Sequence, residues 1–496
     1  MASSSGGEGP SLRRDLPLPG QVVHYDYREG SQSSSRDRPD RGAKKPGNEG
    51  ATDSSTSSHP PRPLRLVSFN VERGYELARV VSLLKHLDPD IVALQECDWG
   101  CKRSRSADVG REIAKALKFA GAFAAEFEEV DSPARSERDA GGGVHGNAVL
   151  CRWGFAAGPG KEGAFSVPHA LAYDWEHETE RAFPAAAAAA GAGPGRRSLR
   201  FLFGPKRRRG GTPASREPRR GGRVALGAAC RVPVEMLGLL NEETKEEELK
   251  EEEAEGEERE EGEEKEEEEA SGDKRGSESG FVVVVAYSLH LECFCGAAGR
   301  ALQLREVLLD AEERLPKLSR ELLLEQSSEP RVSSPPRAPP RSPPPPRLFC
   351  SVLGDFNTLA HGIVRLSPLR ARGFARWSSL GRTEARWLHR RVLSSRVDDE
   401  EVEREDGGSS KERCPPSLFF ECPFPLDTVT FDNPSYHFAG GRLRLVRGKL
   451  DWALLLKKGK EKSYYGGLRA LSATTANEDF SASDHRALVV EVVAEE

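Results

Sequence analysis

The chain has 496 residues and a net charge of −6, and none of its apolar runs reaches the roughly 18 residues that a membrane-spanning helix requires, so stable membrane insertion is not expected. Nine cysteines lie at irregular positions without a paired C-x-x-C framework, which indicates a reducing compartment more than a disulfide scaffold. Because the N-terminus also lacks the apolar stretch of a secretory signal, we predict an intracellular protein of the nucleus or cytoplasm, with an organelle left open.

Much of the chain is too polar and repetitive to form a core. Residues 1–62 are rich in Ser, Gly, Pro, Asp and Arg, and similar low-complexity segments interrupt the remainder at about 182–216, 241–279, 327–347 and 396–416. Such segments bury too little apolar surface to offset the entropy of ordering them. We therefore predict a disordered N-terminal segment, 1–62, and one large domain, 63–496, that carries these insertions.

The net charge is distributed unevenly. Residues 241–270 contain 19 Glu against 4 Lys or Arg, a net charge of −15, which leaves +9 on the rest of the chain. A basic body with a separate acidic loop fits an anionic substrate. A solvated insertion beside an ordinary protein surface explains the same distribution equally well.

Strand and helix patterns alternate from Leu64 onward. The run "LRLVSFN" predicts a strand that ends on Asn70, and the apolar spacing in "YELARVVSLLKHL" predicts a helix that Pro89 ends. The run "DIVALQE" predicts a second strand, which ends on Glu96. A helix at "VGREIAKALKFA" and short strands at 122–128 and 146–151 follow.

The second half continues the alternation. Neighbouring strands are predicted at 223–234 and 281–292, with the acidic run as the connection between them. A helix over "GRALQLREVLLDAEERL", a strand over "LFCSVLGDFN", and strands near 449–456 and 486–493 complete the domain. This order predicts an α/β fold of two packed sheets flanked by helices.

Polar residues follow the apolar strands at several places. A lone strand-terminal carboxylate is more often a turn or cap residue, and a lone histidine is more often structural. Strand ends share one rim of a sheet, however, and there carboxylate and amide oxygens would suit Mg²⁺ or Mn²⁺ while imidazoles donate to phosphate or move a proton. The residues are Asn70, Glu96, His290 with Glu292, Asp355 with Asn357, Asp451, and Asp484 with His485.

The order of these motifs resembles the endonuclease/exonuclease/phosphatase superfamily and, within it, a little-characterised branch. The matching segments are "SFNVERG" (68–74), "DIVALQE" (90–96), "HGNAVLCR" (145–152), "YSLHLE" (287–292), "GDFNTLAHG" (354–362), "KLDWALL" (449–455) and "SDHRALVVEV" (483–492). The pairing of "GDFN" with a distant "SDH" is specific, and the segments together span 64–494. The resemblance implies a four-layer α/β sandwich of two mixed, mostly antiparallel sheets between helices, and a phosphoesterase activity that depends on Mg²⁺ or Mn²⁺.

The resemblance also implies a role for each matching residue. Glu96 corresponds to the principal metal ligand, and Asn70 to a residue that holds a metal-bound water or a phosphate oxygen. Asp355 corresponds to the residue that orients and deprotonates the attacking water. Asn357 corresponds to a residue that binds a phosphate oxygen beside it.

The remaining roles concern the transition state. His290 and His485 correspond to the pair that stabilises charge on the phosphorus centre. Asp484 would orient His485 or bind a second metal, and Asp451 would support the nucleophile or occupy another metal position. The predicted metal set is thus Asn70, Glu96 and Asp484, and the predicted catalytic set is His290, Asp355, Asn357, Asp451, Asp484 and His485.

Members of this family often direct an Arg or Tyr at the phosphate from the middle strands. Tyr173, Arg181, Arg219 and Arg220 are the candidates here, and Arg219 is predicted as the substrate-binding one together with Asn70. Surface charge is the alternative for these arginines, above all for Arg181.

The sequence therefore predicts a metal-dependent, nuclease-like hydrolase of phosphodiester bonds, by attack of activated water at phosphorus, with a phosphate-containing substrate such as nucleic acid. The alternatives are a phosphatase or lipid phosphodiesterase that acts on a small or membrane-borne phosphate, and a non-catalytic binding protein on the same fold. A retired site would have lost a carboxylate or a histidine, and every position is filled here. Substrate identity, exo or endo action, and oligomeric state stay open.

Overall fold

The computed structural model describes fifteen segments of the chain. They are residues 15–28, 62–131, 135–156, 163–169, 219–239, 280–292, 296–328, 347–358, 385, 388–393, 418–432, 437–438, 443–444, 447–458 and 465–495. The insertions predicted at 182–216, 241–279 and 396–416 lie outside these residues, as does nearly all of 327–347. No helix in the described segments has the length and apolar character needed to cross a membrane.

Eighteen strands and three α-helices make up the described architecture. The strands are β1 (Val22–Asp26), β2 (Leu64–Asn70), β3 (Ile91–Trp99), β4 (Ala120–Glu129), β5 (Gly143–Cys151), β6 (Ala164–Pro168), β7 (Arg219–Gly221), β8 (Val224–Pro233), β9 (Phe281–His290), β10 (Leu348–Asp355), β11 (Phe420–Glu421), β12 (Phe431–Asp432), β13 (His437–Phe438), β14 (Leu443–Arg444), β15 (Arg447–Gly448), β16 (Asp451–Leu456), β17 (Gly467–Ala476) and β18 (Ala487–Glu495). The helices are α1 (Leu77–Leu87), α2 (Val109–Leu117) and α3 (Gly296–Ser328).

Two mixed sheets carry the fold. The first has the order β1-β4-β5-β3-β2-β18-β17, with β7 paired to β4, and the second has the order β11-β16-β10-β9-β8-β6. Only the β2–β3 and β9–β10 pairs within these sheets are parallel. The strands β12 with β15 and β13 with β14 form two small ribbons.

Three apolar cores separate four layers. The central core lies between the sheets and joins residues such as Leu66 and Ala122 of the first sheet to Val284 and Leu353 of the second. A second core covers the outer face of the first sheet with α1 and α2, and a third covers the outer face of the second sheet with α3. The predicted four-layer α/β sandwich is confirmed.

The topology brings the predicted polar residues to one rim. In the parallel pair β9–β10, His290 and Asp355 lie side by side at the strands' carboxyl ends. Strand β16 runs antiparallel to β10, so that its first residue, Asp451, lies opposite Asp355. Asp451 was expected at the end of a strand, and it reaches the same rim because an antiparallel strand begins where its partner ends.

The N-terminal segment is not disordered throughout, and the prediction for 1–62 is wrong at residues 15–28. There "VVHYD" forms β1 and pairs antiparallel with β4 at the edge of the first sheet. The Tyr25 ring is buried so closely against Gly121 that a Cβ on this glycine would lie 1.9 Å from the ring. The polar composition on either side of this short apolar run concealed the strand.

A truncation series should expose the contribution of β1. Deletion of residues 1–14 is expected to leave the melting temperature unchanged, while deletion of 1–28 should lower the stability by about 3 kcal/mol or more, because burying one large aromatic side chain contributes that much. The measurement is thermal unfolding followed by circular dichroism. Equal melting temperatures for the two truncated proteins would show that β1 contributes nothing.

Other elements also differ from the predictions. Helix α3 continues through Pro316 to Ser328, two residues into the predicted proline-rich insertion. Leu304, Leu308, Leu315 and similar buried residues of α3 pack on the second sheet, and this packing outweighs the cost of an interior proline. Strands β6 and β17 were not predicted, because each lies at a sheet edge and lacks a clear apolar alternation.

Candidate active site

The ends of both sheets place the predicted polar residues on one rim. Asn70 is the last residue of β2, and Glu96 lies in the neighbouring parallel strand β3. His290 and Asp355 end β9 and β10. His485 lies two residues before β18, which runs antiparallel to β2. The rim therefore collects side chains from both sheets.

Backbone distortions direct two of these side chains. The pairing of β3 with β5 shifts register between Leu94 and Cys97, and Glu96 within this bulge has φ = 57°. Asn357, just beyond β10, has φ = 51°. A left-handed conformation costs of order 1–3 kcal/mol for a residue other than glycine, and such strain tends to occur where a side chain must be aimed.

Asp355 is at the centre of the cluster. Its Oδ1 accepts a hydrogen bond of 2.8 Å from the backbone N–H of Asn357. Its Oδ2 lies 3.1 Å from Asn70 Nδ2, 3.4 Å from His290 Nε2 and 3.7 Å from His485 Nε2. Three side-chain donors thus surround one carboxylate oxygen.

The environment of Asp355 favours its protonated form more than water would. Burial raises the pKa of Asp355 to about 7, and the carboxylates of Asp451 and Glu96 add to this effect although His485 opposes it. A carboxylate with a pKa near neutrality can accept a proton at physiological pH and still release it. Asp355 therefore has the properties of a general base.

His485 is paired with a carboxylate. Its Nδ1 lies 2.9 Å and 3.1 Å from the two oxygens of Asp451. Burial disfavours the charged imidazole, but Asp451 and Asp355 outweigh burial and raise the pKa of His485 well above its ordinary value. Asp484 is more distant, with Oδ1 3.9 Å from His485 Nε2. Asp451 is therefore the residue in position to orient His485, which was one of the two roles predicted for Asp484.

His290 is paired with a cation instead of a carboxylate. Its Nδ1 lies 2.9 Å from Nη1 of the buried Arg223. Burial and the positive charge of Arg223 together hold the pKa of His290 well below its ordinary value. The surroundings of the two histidines therefore favour opposite states, the imidazolium at His485 and the neutral imidazole at His290.

Asn70 presents its amide nitrogen to the cluster. Its Oδ1 accepts the backbone N–H of Glu72 at 3.0 Å, which leaves Nδ2 facing Glu96 Oε1 at 3.3 Å and Asp355 Oδ2 at 3.1 Å. An amide N–H is a donor and does not ligate a cation. This orientation suits the predicted contact of Asn70 with substrate and does not suit the predicted contact with metal.

Three carboxylates lie on the open side of the rim: Glu72, Glu96 and Asp484. Burial and the negative charges of Asp484 and Glu96 raise the pKa of Glu72 to about 7, against the opposing Arg138. Burial likewise disfavours ionisation of Glu96, but nearby positive charges outweigh burial and lower its pKa. The largest of these contributions comes from Arg73, whose Nε lies 3.8 Å from Glu96 Oε2. Carboxylate oxygens are the donors that a hard divalent cation prefers, so this side of the rim has the donor chemistry for a metal of that class.

Two groups of three side chains in the described segments have the spacing of a metal site: Asp355, Asp451 and His485, and Glu126, His145 and His290. In the second group, Arg223 Nη1 lies 2.8 Å from Glu126 and 2.9 Å from His290. A guanidinium therefore already neutralises that position, and we do not assign a metal to it.

Arg219 and Asn357 have partners close by. Arg219 Nε lies 3.3 Å from the buried Glu129, and its guanidinium stacks 4.5 Å from the centre of the Phe127 ring. Asn357 Nδ2 donates to the backbone carbonyl of Leu291 at 2.8 Å. The substrate-binding role of Arg219 and the phosphate-binding role of Asn357 stay predictions. Tyr173 and Arg181 lie outside the described residues.

Several residues of this site were not predicted from the sequence. Glu72 and Arg73 belong to the motif "SFNVERG", and their polar character two and three residues after Asn70 was the available signal. Arg223 heads the apolar run of β8, and Glu126 lies within the apolar β4, so a charged residue in a buried strand was the signal for both.

Comparison with known proteins gives one match to a family. The model of the "Endonuclease/Exonuclease/phosphatase family" matches residues 67–485. No curated protein sequence matches the chain.

Three of the solved structures that match the chain come from Beutenbergia cavernae, D. rerio and Bacteroides thetaiotaomicron. An endonuclease/exonuclease/phosphatase from Beutenbergia cavernae has 13% identity and a TM-score of 0.40 over 87% of this chain and 72% of that one. D. rerio TDP2 complexed with single strand DNA product has 11% identity and a TM-score of 0.33 over 86% and 98% of the two chains. Bacteroides thetaiotaomicron mannosyl-6-phosphatase Bt3783 has 10% identity and a TM-score of 0.31 over 87% and 99%.

Proposed function

The chain belongs to the endonuclease/exonuclease/phosphatase family, and we propose that it is a divalent-metal-dependent hydrolase of phosphodiester bonds. The observation that carries the proposal is the environment of Asp355. A buried carboxylate with a pKa of about 7 lies within 3.7 Å of two histidines whose surroundings favour opposite protonation states, and 3.1 Å from an amide donor. A proton acceptor surrounded by fixed donors is what water attack at phosphorus requires.

In the proposed reaction, Asp355 accepts a proton from a water molecule while the water oxygen attacks phosphorus. The bond from phosphorus to the leaving oxygen breaks, and this oxygen keeps the electron pair and takes a proton from solvent. Negative charge accumulates on the phosphoryl oxygens in the transition state. The N–H groups of Asn70, His290 and His485 lie around Asp355 Oδ2, beside the place where the phosphoryl oxygens would bind. The raised pKa of His485 favours a positive charge there. Donors that are already in place cost no reorganisation when the charge develops.

The metal would be held by Glu96, with Glu72 and Asp484 as the further ligands. When bound, a divalent cation supplies positive charge that polarises the phosphoryl group. Arg138 forms an ion pair with Glu72, with Nη2 3.0 Å from Oε1, and the side chain of Arg138 is 65% exposed. It can therefore leave this carboxylate without breaking a buried contact.

Nucleic acid is the proposed substrate. Arg138 lies at the open edge of the site, with its guanidinium 5.1 Å from the centre of the Tyr75 ring. A cation beside an aromatic ring suits a phosphate next to a base, a pair that a small monoester does not present. The +9 charge of the chain outside its acidic run supports the same class of substrate.

A substrate panel tests the proposal. Purified protein is incubated with single- and double-stranded DNA, RNA, bis(p-nitrophenyl) phosphate and p-nitrophenyl phosphate, in Mg²⁺ or Mn²⁺ and with or without EDTA. We expect the diesters to be hydrolysed and EDTA to abolish the reaction. Hydrolysis of the monoester alone would make the protein a phosphatase, and no turnover on any substrate would favour the binding protein.

The matched variant is Glu96→Gln, which keeps the size of the side chain and removes its charge. It should require a higher concentration of Mn²⁺ for half-maximal activity, since one anionic ligand is lost. An unchanged Mn²⁺ requirement would remove Glu96 from the metal site.

A further inference from the structure

Arg223 binds the side of His290 that faces away from the reaction. Its guanidinium is 4% exposed and lies between two carboxylates, with Nη1 2.8 Å from Glu126 Oε2 and Nε 3.3 Å from Glu292 Oε2. The Phe127 ring centre lies 5.3 Å from the guanidinium carbon. These contacts fix the position of Nη1, which lies 2.9 Å from His290 Nδ1.

The chemistry of the guanidinium decides the state of the imidazole. Arginine stays charged in proteins and has five N–H donors but no acceptor. A ring nitrogen that is 2.9 Å from such a group must therefore be the acceptor, so Nδ1 of His290 carries no proton. A neutral imidazole with an accepting Nδ1 has its proton on Nε2.

The proton on Nε2 is directed at the reacting groups. His290 Nε2 lies 3.4 Å from Asp355 Oδ2 and 3.9 Å from Glu96 Oε1. His485 provides the contrast, since its Nδ1 lies against the carboxylate of Asp451. The partner of Nδ1 thus sets the protonation state of each histidine. A carboxylate partner favours the imidazolium, and a guanidinium partner leaves a neutral imidazole that donates from Nε2.

We propose that Arg223 is a positioning residue that holds His290 in the neutral Nε2–H tautomer, so that His290 donates to the scissile phosphate and does not accept a proton at Nε2. The contribution to catalysis rests on the proposed function, whereas the tautomer does not. The alternative is that Arg223 only neutralises the buried carboxylates of Glu126 and Glu292. In that case its removal would lower the stability and leave the tautomer of His290 unchanged.

Nitrogen NMR of protein labelled with ¹⁵N-histidine distinguishes the proposed role of Arg223 from charge neutralisation alone. The unprotonated nitrogen of a neutral imidazole resonates far downfield of the N–H nitrogen, and the His290→Asn variant assigns the signals. In the native protein, Nδ1 of His290 should give the downfield signal. In Arg223→Met, the proton should redistribute toward Nδ1, where the carboxylate of Glu126 can accept it.

The control is Arg135→Met, which removes another buried arginine, one that pairs with Glu129. Both variants should lose stability, but only Arg223→Met should change the His290 signals. On a diester substrate, Arg223→Met should also lower kcat by on the order of 10²-fold, as loss of one fixed donor does. Arg223→Lys, which keeps a charged donor, should retain the native tautomer.

Two results would overturn the proposal: a protonated Nδ1 in native His290, or an unchanged tautomer in Arg223→Met. The first result needs only the native protein, so the proposal can be refuted even if Arg223→Met fails to fold. Because the spectra need no substrate, an inactive protein with the expected tautomer would count against the proposed function and not against the role of Arg223.

Discussion

Asp355→Asn is expected to lower kcat by on the order of 10³-fold at neutral pH while the fold stays intact, because an amide cannot accept the proton of the attacking water. Asn keeps the shape of the side chain, so the backbone N–H of Asn357 still has an oxygen to bond. The variant removes the repulsion with Asp451 and Glu96, but its amide NH2 replaces the oxygen that faces the donors of Asn70 and His290, so the melting temperature should fall modestly. Activity on a diester substrate and circular dichroism are the measurements.

The pH dependence of the native enzyme provides a second readout of Asp355. Only the ionised carboxylate accepts a proton, so kcat/KM should rise with pH and level off above the pKa of Asp355, about 7. The residual activity of Asp355→Asn should lack this rise. A folded variant that retains more than half of the native activity, or the same acidic limb, would show that Asp355 is not the base.

Much of the site was predictable because its residues end or begin strands. Asn70, His290 and Asp355 each follow an apolar run, and the carboxyl ends of parallel strands meet at one rim. The alternation of apolar strands and helices is enough to predict that these residues share one edge of a sheet, even when the strand pairing is unknown. Their order along the chain then indicated the family and its chemistry.

The residues that adjust the site were not predictable from local patterns. Arg223 meets His290 only because β8 pairs with β9, and Glu126 reaches the same place from the other sheet, 97 residues away in sequence from Arg223. Such contacts depend on tertiary packing, and a charged residue in an apolar run does not reveal its partner. The orientation of the Asn70 amide depends in the same way on the backbone of Glu72.

Asp451→Asn is the second change for which we expect a large effect, a loss of kcat of on the order of 10²-fold, because His485 would lose the partner that keeps it charged and oriented. Asp451 and Asp355 raise the pKa of His485, so removing one carboxylate lowers it. The imidazolium exists only below that pKa, and the alkaline limb of kcat should therefore move to lower pH.

The double variant Asp451→Asn/His485→Ala shows whether the pair acts as one unit. If Asp451 works through His485, the double variant should be no slower than His485→Ala alone, whereas independent roles would multiply the two losses. Asp484→Asn is the comparison: its carboxylate lies 3.9 Å from His485 Nε2, against 2.9 Å between Asp451 and Nδ1. It should mainly raise the Mn²⁺ requirement and leave the alkaline limb nearer its native position. If instead Asp484→Asn moved the alkaline limb and Asp451→Asn did not, the orienting role would pass to Asp484, the residue that the sequence first suggested.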